Sequence, residues 1–250
     1  MNVQDDYDNL VSGLTCDVTE EDYDLLHIKL QKLKDYARVE HRAIALYDIH
    51  RRRFLIKEDH HLEILGYGGM DLDEVGSYHT LIHPDDLPLV LDAEMQMHRY
   101  LKGKPAAEKK EYKLAYDYRV KAASGEYMRF IHQLSIFETD RSGSAWILLV
   151  ISDVLERFPL STKPRRMLIH LPTRKNVLFL GEHEWGEAIA TKREKEILEL
   201  IGQGMDSRQI SEKLFISVHT VNNHRQNILR KSCTNNITQA IKYLQIIGIA

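Results

Sequence analysis

Cysteine is nearly absent. Only Cys16 and Cys233 occur in 250 residues, near opposite ends, and neither belongs to a C-x-x-C pair. A disulfide framework and a cysteine-rich zinc site are both excluded, and such low usage fits a reducing compartment. Long apolar runs are missing too. Stretches such as Trp146 to Ile151 fall far short of the ~18–20 residues a membrane helix needs. The opening MNVQDDYDNL is acidic, with no basic n-region and no apolar h-region, so it does not read as a signal peptide. The expectation is a cytoplasmic protein with no membrane partner. Catalytic signatures are lacking: there is no glycine-rich phosphate loop, no G-x-S-x-G and no H-E-x-x-H. Gly66-Tyr-Gly-Gly69 reads as a turn, and no residue is assigned a catalytic role. Nor is there an excess of charge of one sign, since 34 Lys and Arg face 37 Asp and Glu for a formal net charge of −3. What is present is ordinary globular material, 43% apolar and 28% charged, of a length suited to one large domain or two.

The even total hides an asymmetry. From Ala188 to Ala250 nine cations face five anions, which makes this tail +4 and the remainder −7. A small basic module behind a larger acidic one is a common layout for DNA-binding regulators, although so small an excess decides little alone. The tail reads as four short helices. Thr191-x-x-Glu194 is a capping box, after which Ile197, Leu198 and Ile201 share a face until Gly202 and Gly204 stop the helix. Asp206 and Gln209 cap a second helix carrying Ile210 and Leu214. Phe215-Ile216-Ser217 is a tight turn. Ser217 caps a third helix, with Val218, Val221, Ile228 and Leu229 as its apolar stripe. Asn236-x-x-Gln239 opens a fourth, carrying Ile237, Ala240, Ile241, Leu244 and Ile247. Two short helices joined by a tight turn, with a scaffold helix before and a closing helix after, describe a helix-turn-helix.

Upstream the periodicity differs. Glu21 to Arg38 is helical, inside an N-terminal extension over 1–41. Ala43 to Ile49 and Arg53 to Lys57 read as strands, His60 to Ser77 as short helices, and Asp85 to Leu101 as a helix with Pro84 suited to its first turn. Glu111 to Lys121, Tyr127 to Glu138 and Ala145 to Val154 are three strands, separated by turns at Ala123-Ser124-Gly125 and Arg141-Ser142-Gly143. The segment 158–187 reads as a linker holding a β-hairpin, with Met167 to Leu171 and Val177 to Leu180 flanking Pro172 to Asn176. Its basic residues, Lys163-Pro-Arg-Arg166 and Arg174-Lys175, read as a solvated hairpin.

The tail resembles the LuxR-type (NarL/FixJ-type) helix-turn-helix family. The resemblance is carried by Thr191-Lys-Arg-Glu194, Ile197-Leu198, Gly202-Gln-Gly204, Gln209-Ile210-Ser211, Leu214-Phe-Ile-Ser217, His219-Thr-Val221, His224 and Asn227-Ile-Leu-Arg-Lys231. One departure stands out: the family leaves its recognition helix through Leu-Gly, and Ser232-Cys233 occupies that place here. The stretch from Ala43 to Leu155 is similar to PAS domains through Ile64-Leu-Gly-Tyr67, Leu81-Ile-His-Pro-Asp-Asp86, Tyr116 to Arg119, Ala123-Ser-Gly-Glu-Tyr127 and Ile151-Ser-Asp-Val154. Together they imply an α+β PAS-like sensory domain over 42–157, an antiparallel sheet with flanking helices. An all-α four-helix LuxR-type domain over 188–250 follows it. Asp85-Asp86 sit where acids suit a helix start, so control by phosphorylation is not indicated.

On the third helix, inward Val218, Val221 and Ile228 leave Asn222, Asn223, Arg225 and Gln226 pointing out. Asn and Gln can pair bidentately with adenine, and Arg with guanine. The resemblance places Asn222, Asn223 and Gln226 where family members read bases. It places Thr191, Arg193, Ser207, Arg208, Thr220 and Lys231 at phosphates, contacts that orient without specifying sequence. For His224, packing and a DNA contact stay open. The fourth helix offers Ile237, Ile241 and Leu244 as a dimer interface. The partners implied are double-stranded DNA and a second copy of the chain, with RNA polymerase admitted as a further one. An adaptor with vestigial DNA binding is the alternative. No cofactor, metal or haem is expected: His79 and His83 lack further ligands, and no histidine falls on an inward apolar stripe. Nor is a covalent chromophore, because Cys16 precedes the PAS-like domain. The ligand of that domain, if any, is left open.

Overall fold

The structure, a computed structural model, describes residues 2–40, 43–58, 60–68, 78–155, 158, 160, 163–179, 190–232 and 234–248. The expected short helices beyond Gly68, most of the linker after Phe179 and Cys233 lie outside the described residues. By their internal contacts the residues form two compact units, Met1–Leu168 and Ile169–Ala250.

The first unit opens with two helices, α1 (Val3–Ser12) and α2 (Glu20–Glu40). Asn2 caps α1 by accepting the Gln4 N–H, and Glu20, Glu21 and Asp22 place acid at the positive end of α2. β1 (Ala43–Asp48), β2 (Arg53–Glu58) and α3 (His60–Ile64) follow. After a single 3-10 turn at Tyr78–Leu81 come α4 (Leu87–Leu101), α5 (Ala106–Lys109), β3 (Tyr112–Lys121), β4 (Tyr127–Thr139) and β5 (Ala145–Val154). The hairpin β6 (Arg166–His170) and β7 (Lys175–Leu178) runs across the division at Leu168, and the sheet order is β2-β1-β5-β4-β3-β6-β7. The strands of the meander follow the alternation in the sequence. Its turns carry Gly125 and Gly143 at φ +89° and +81°, where a side chain would strain the backbone.

One face of the sheet packs on α2. Leu26 meets Leu46, Trp146 and Ile147, with Tyr23, Leu30 and Leu149 around them. Tyr23 stands edge-on to Trp146 and donates to the buried Asp48 at 2.7 Å. The other face turns towards α4 and α1.

Two expectations need correction here. The α4 helix starts at Leu87 rather than Asp85, and the proline in its first turn is Pro88, not Pro84. Asp86 is its N-cap residue, but the carboxylate turns away to accept three N–H groups of Arg119 at 2.6–2.9 Å. The second concerns Arg165 and Arg166, read as solvated. Both are buried. Arg165 pairs with Asp117, which also holds Arg129, and Arg166 pairs with Asp92. A buried carboxylate requires partners, and these arginines supply them.

The second unit contains α6 (Lys192–Gly202), α7 (Ser207–Leu214), α8 (Val218–Ser232) and α9 (Ile237–Ile246). Both capping boxes form, Thr191 with Glu194 and Asp206 with Gln209. Ile197, Leu198, Ile210, Val221, Ile228, Ala240 and Leu244 are buried. Leu200 is buried where Ile201 was expected. Val218 is not inward: as the first residue of α8 it lies at the helix's open start, 42% exposed, one turn ahead of buried Val221.

Candidate DNA interface and sensory cavity

The turn between α7 and α8 is set by Phe215, a left-handed C-cap at φ 54°, which leaves its ring exposed. Ser217 then caps α8 by accepting the Thr220 N–H at 3.0 Å. With Val221 and Ile228 buried on one face, Asn222, Asn223 and Gln226 stand exposed on the opposite side, and Arg225 is half-buried beside them. Ser207, at the start of α7, donates to the Asn222 side-chain oxygen at 2.9 Å, which fixes how that amide is presented. Asn223 lies 3.3 Å from the His219 ring, and His224 is half-buried. The structure therefore brings the three amides and Ser207 onto one surface.

The residues expected at phosphates divide. Arg208 is exposed beside Glu212 at 3.5 Å, and Thr220 is half-buried at the head of α8. Arg193 ties α6 to the end of α7, reaching Glu196 at 2.7 Å and the Leu214 carbonyl at 2.9 Å. Lys231 is turned inward. Its ammonium lies 2.9 Å from Glu194, whose carboxylate also accepts the Thr191 N–H at 2.7 Å. Burial pushes the Glu194 carboxyl up, but the Thr191 N–H and the Lys231 charge outweigh it and hold the group below its usual range. Lys231 thus serves the fold, and Thr191 serves it too through its cap. On α9, Leu244 is 2% exposed and Tyr243 and Ile247 are buried with it, because they fill this unit's own core. Of the three interface candidates, Ile237 and Ile241 keep surface. At the end of α8, Ser232 donates back to the Ile228 carbonyl at 2.8 Å and pairs with the Thr234 hydroxyl at 2.8 Å.

The first unit holds a partly open cavity of about 800 Å³ between the sheet, α4 and α1. Alternate residues of the strands face it: Tyr116 and Tyr118 of β3, His132, Leu134 and Ile136 of β4, and Leu148, Val150 and Ser152 of β5. Glu94 of α4 accepts hydrogen bonds from Tyr7 of α1 at 2.7 Å and from Tyr116 at 2.6 Å. The Tyr118 hydroxyl lies 2.8 Å from the His132 ring, and Tyr78 stacks on that ring with centroids 5.4 Å apart. Burial above all, then the nearby Glu94, pushes the Tyr7 and Tyr116 hydroxyls up, so they remain protonated donors. His132 corrects the expectation that no histidine faces inward. Among the described residues no group of three or more His, Cys, Asp or Glu could hold a metal ion, and no helix is long and apolar enough to cross a membrane.

Comparison with known proteins decides what the helical unit is. Its residues 188–244 match the profile of bacterial regulatory proteins of the luxR family. The C-terminal domain belongs to the luxR family. Residues 57–151 match the PAS fold. The transcriptional regulatory protein DegU of Brevibacillus brevis is 49% identical over 53 residues, 21% of this chain and 22% of DegU. LiaR of Bacillus subtilis is 44% identical over 63 residues, 25% of this chain and 30% of LiaR. The chain thus covers under a third of the length of these relatives. Among solved structures, a phage VqmA–DPO complex aligns over 92% of each chain at 16% identity and a TM-score of 0.35.

Within the luxR-family domain, the amide face was legible from helical spacing. The Ser207–Asn222 bond and the Glu194–Lys231 pair were not, because each joins helices through tertiary packing. In the first unit, the sequence reading missed Tyr7, Glu94 and His132. The strand residues could have been found from alternation, since Tyr116 and Tyr118, and His132, Leu134 and Ile136, recur at a period of two. Tyr7 and Glu94 carry no local signal.

Proposed function

We propose that this protein is a sequence-specific DNA-binding transcriptional regulator that acts as a dimer and takes its signal through the PAS domain. The observation that carries this is the exposed row of Asn222, Asn223 and Gln226 on α8 of a luxR-family domain. Such a helix enters the major groove and meets base edges there, and side-chain amides read adenine. Arg225 joins the base-reading set, and Arg193, Ser207, Arg208 and Thr220 contact phosphates. A single module makes too few base contacts for useful specificity, which argues for two copies on a pseudo-palindromic site. Ile237 and Ile241 on α9 supply one interface. Leu25 and Ile28, 62% and 63% exposed on α2, supply another.

The test is quantitative binding to a site selected from random DNA and to its scrambled version. Asn222→Ala and Gln226→Ala should each cost about 1–3 kcal/mol on the selected site and little on the scrambled one. Affinity for both DNAs should fall steeply with added salt through counterion release. Equal losses on both DNAs would show that α8 does not read bases in this register, and poor binding at every salt would favour the adaptor. Light scattering at micromolar concentration should give a dimer; a monomer with and without DNA would overturn that part.

A further inference from the structure

Glu94 delivers a carboxylate from α4 into the cavity of the PAS domain, and its two partners are held very differently. Tyr116 is 4% exposed within the sheet. Tyr7 is half-buried on α1, a ten-residue helix that lies outside the matched segment 57–151. Of the two hydroxyls, Tyr7 is the one that can be exchanged. Around this polar end the walls are apolar, with Val90, Met97, Leu134, Ile136 and Val150. Such walls favour a hydrocarbon or aromatic body by ~25 cal/mol per Å² removed from water.

Charge narrows the occupant further. The lining carries both signs, and an anion at the polar end would face the Glu94 carboxylate, whose direct partners are the neutral Tyr7 and Tyr116. A cation would meet Lys102 and Lys109, which line the same space. Burial first, then these two lysines, already depresses the neighbouring His98.

We propose that the cavity binds one small uncharged molecule with an apolar body and a hydrogen-bond-donating group, and that Glu94 accepts this donor in place of Tyr7. The proposal rests on the PAS domain being the signal input. Glu94 is then the residue that selects the ligand, and α1 is the wall whose hold on the cavity the ligand replaces.

The test uses the intact chain without DNA, so its outcome is separate from that of the DNA-binding reading. The probe is N-phenylnaphthylamine, uncharged with one N–H, whose fluorescence rises in an apolar site. Four competitors share one ring system: naphthalene methanol, its methyl ether, naphthoate and the naphthylmethyl ammonium ion. The alcohol should displace the probe at concentrations roughly tenfold lower than the other three, since a hydrogen bond to a charged acceptor contributes ~1.5–3 kcal/mol. Glu94→Leu should abolish the advantage of alcohol over ether while the probe still binds. Tyr7→Phe should tighten the alcohol several-fold, because no protein donor must then be displaced. Val150→Phe should exclude the probe, and Ala45→Phe repeats that test if circular dichroism shows the first variant unfolded. Equal displacement by alcohol and ether overturns the proposal. So does preference for either ion, weaker alcohol binding in Tyr7→Phe, or a folded cavity-filling variant that still takes the probe.

Discussion

Glu194 shows how one side chain can close a capping box and hold a cation at once. Its carboxylate accepts the Thr191 N–H at 2.7 Å and lies 2.9 Å from Lys231, joining the start of α6 to the end of α8. Thr191→Val removes the hydroxyl that accepts the Glu194 N–H and should lower the stability of the helical domain by about 0.5–2 kcal/mol. Lys231→Met leaves a buried carboxylate short of a partner and should cost ~1.5–3 kcal/mol; urea titration measures both. The pH dependence has a definite sign. A carboxyl held below its unfolded value adds stability above that value, about 4.3 for Glu, and loses it as pH falls through the folded value. Glu194 is such a group. The helical domain should therefore weaken on acidification from about pH 5 downward. Lys231→Met should flatten that dependence, because it takes away part of what depresses the group. An unchanged slope in the variant would mean that other carboxyls set the acid limit.

Among the elements, β3 serves two faces through its pleat. Tyr116 and Tyr118 look into the cavity, while Asp117 between them is fully buried and holds Arg129 of β4 and Arg165 ahead of β6. Arg129 reaches Asp117 as a diagonal neighbour, since Asp117 pairs in register with Ile131. The Asp117 N–H also donates to the Arg165 carbonyl at 3.0 Å, so backbone and side chain fasten the same residue. The α4 helix repeats the pattern, with Glu94 at the cavity and Asp92 paired with Arg166. Removing one member of a buried ion group leaves the others uncompensated, at about 3–5 kcal/mol. Asp117→Asn should destabilise the PAS domain on that scale. It should also expose the Arg165–Arg166 bonds to trypsin, which mass spectrometry of the fragments would detect. Protection equal to the parent protein would show that the strand hydrogen bonds hold this segment without the charges.

For the whole molecule, each unit has its own buried residues, the first including Leu26, Leu46, Trp146 and Ile147 and the second Ile197, Ile210, Val221 and Ile228. Separate cores support separate cooperative transitions. Thermal unfolding should resolve two steps, with Asp117→Asn moving one and Lys231→Met the other. A single step shifted by both variants would refute this independence. A ligand that binds only the folded state raises the stability of the unit it binds. The selected DNA should therefore shift the helical step and an uncharged cavity ligand the other.

The sequence by itself determined the meander and the four C-terminal helices, because periods of two and 3.6 and their capping residues are local properties, but it marked neither α1 nor α5. It also marked Asn222, Asn223 and Gln226, because Val221 and Ile228 define the buried side of a single helix. It misplaced what depends on partners distant in the chain. Arg165 and Arg166 looked like solvated charges until Asp117 and Asp92, 48 and 74 residues away, were seen beside them. The Lys231–Glu194 pair and the burial of Leu244 in the domain's own core likewise depend on residues far apart in the chain. Only the tertiary structure joined Tyr7, Glu94, Tyr116 and His132 in one cavity. Burial and ion pairing are set by where the chain meets itself, and no period along the sequence encodes that.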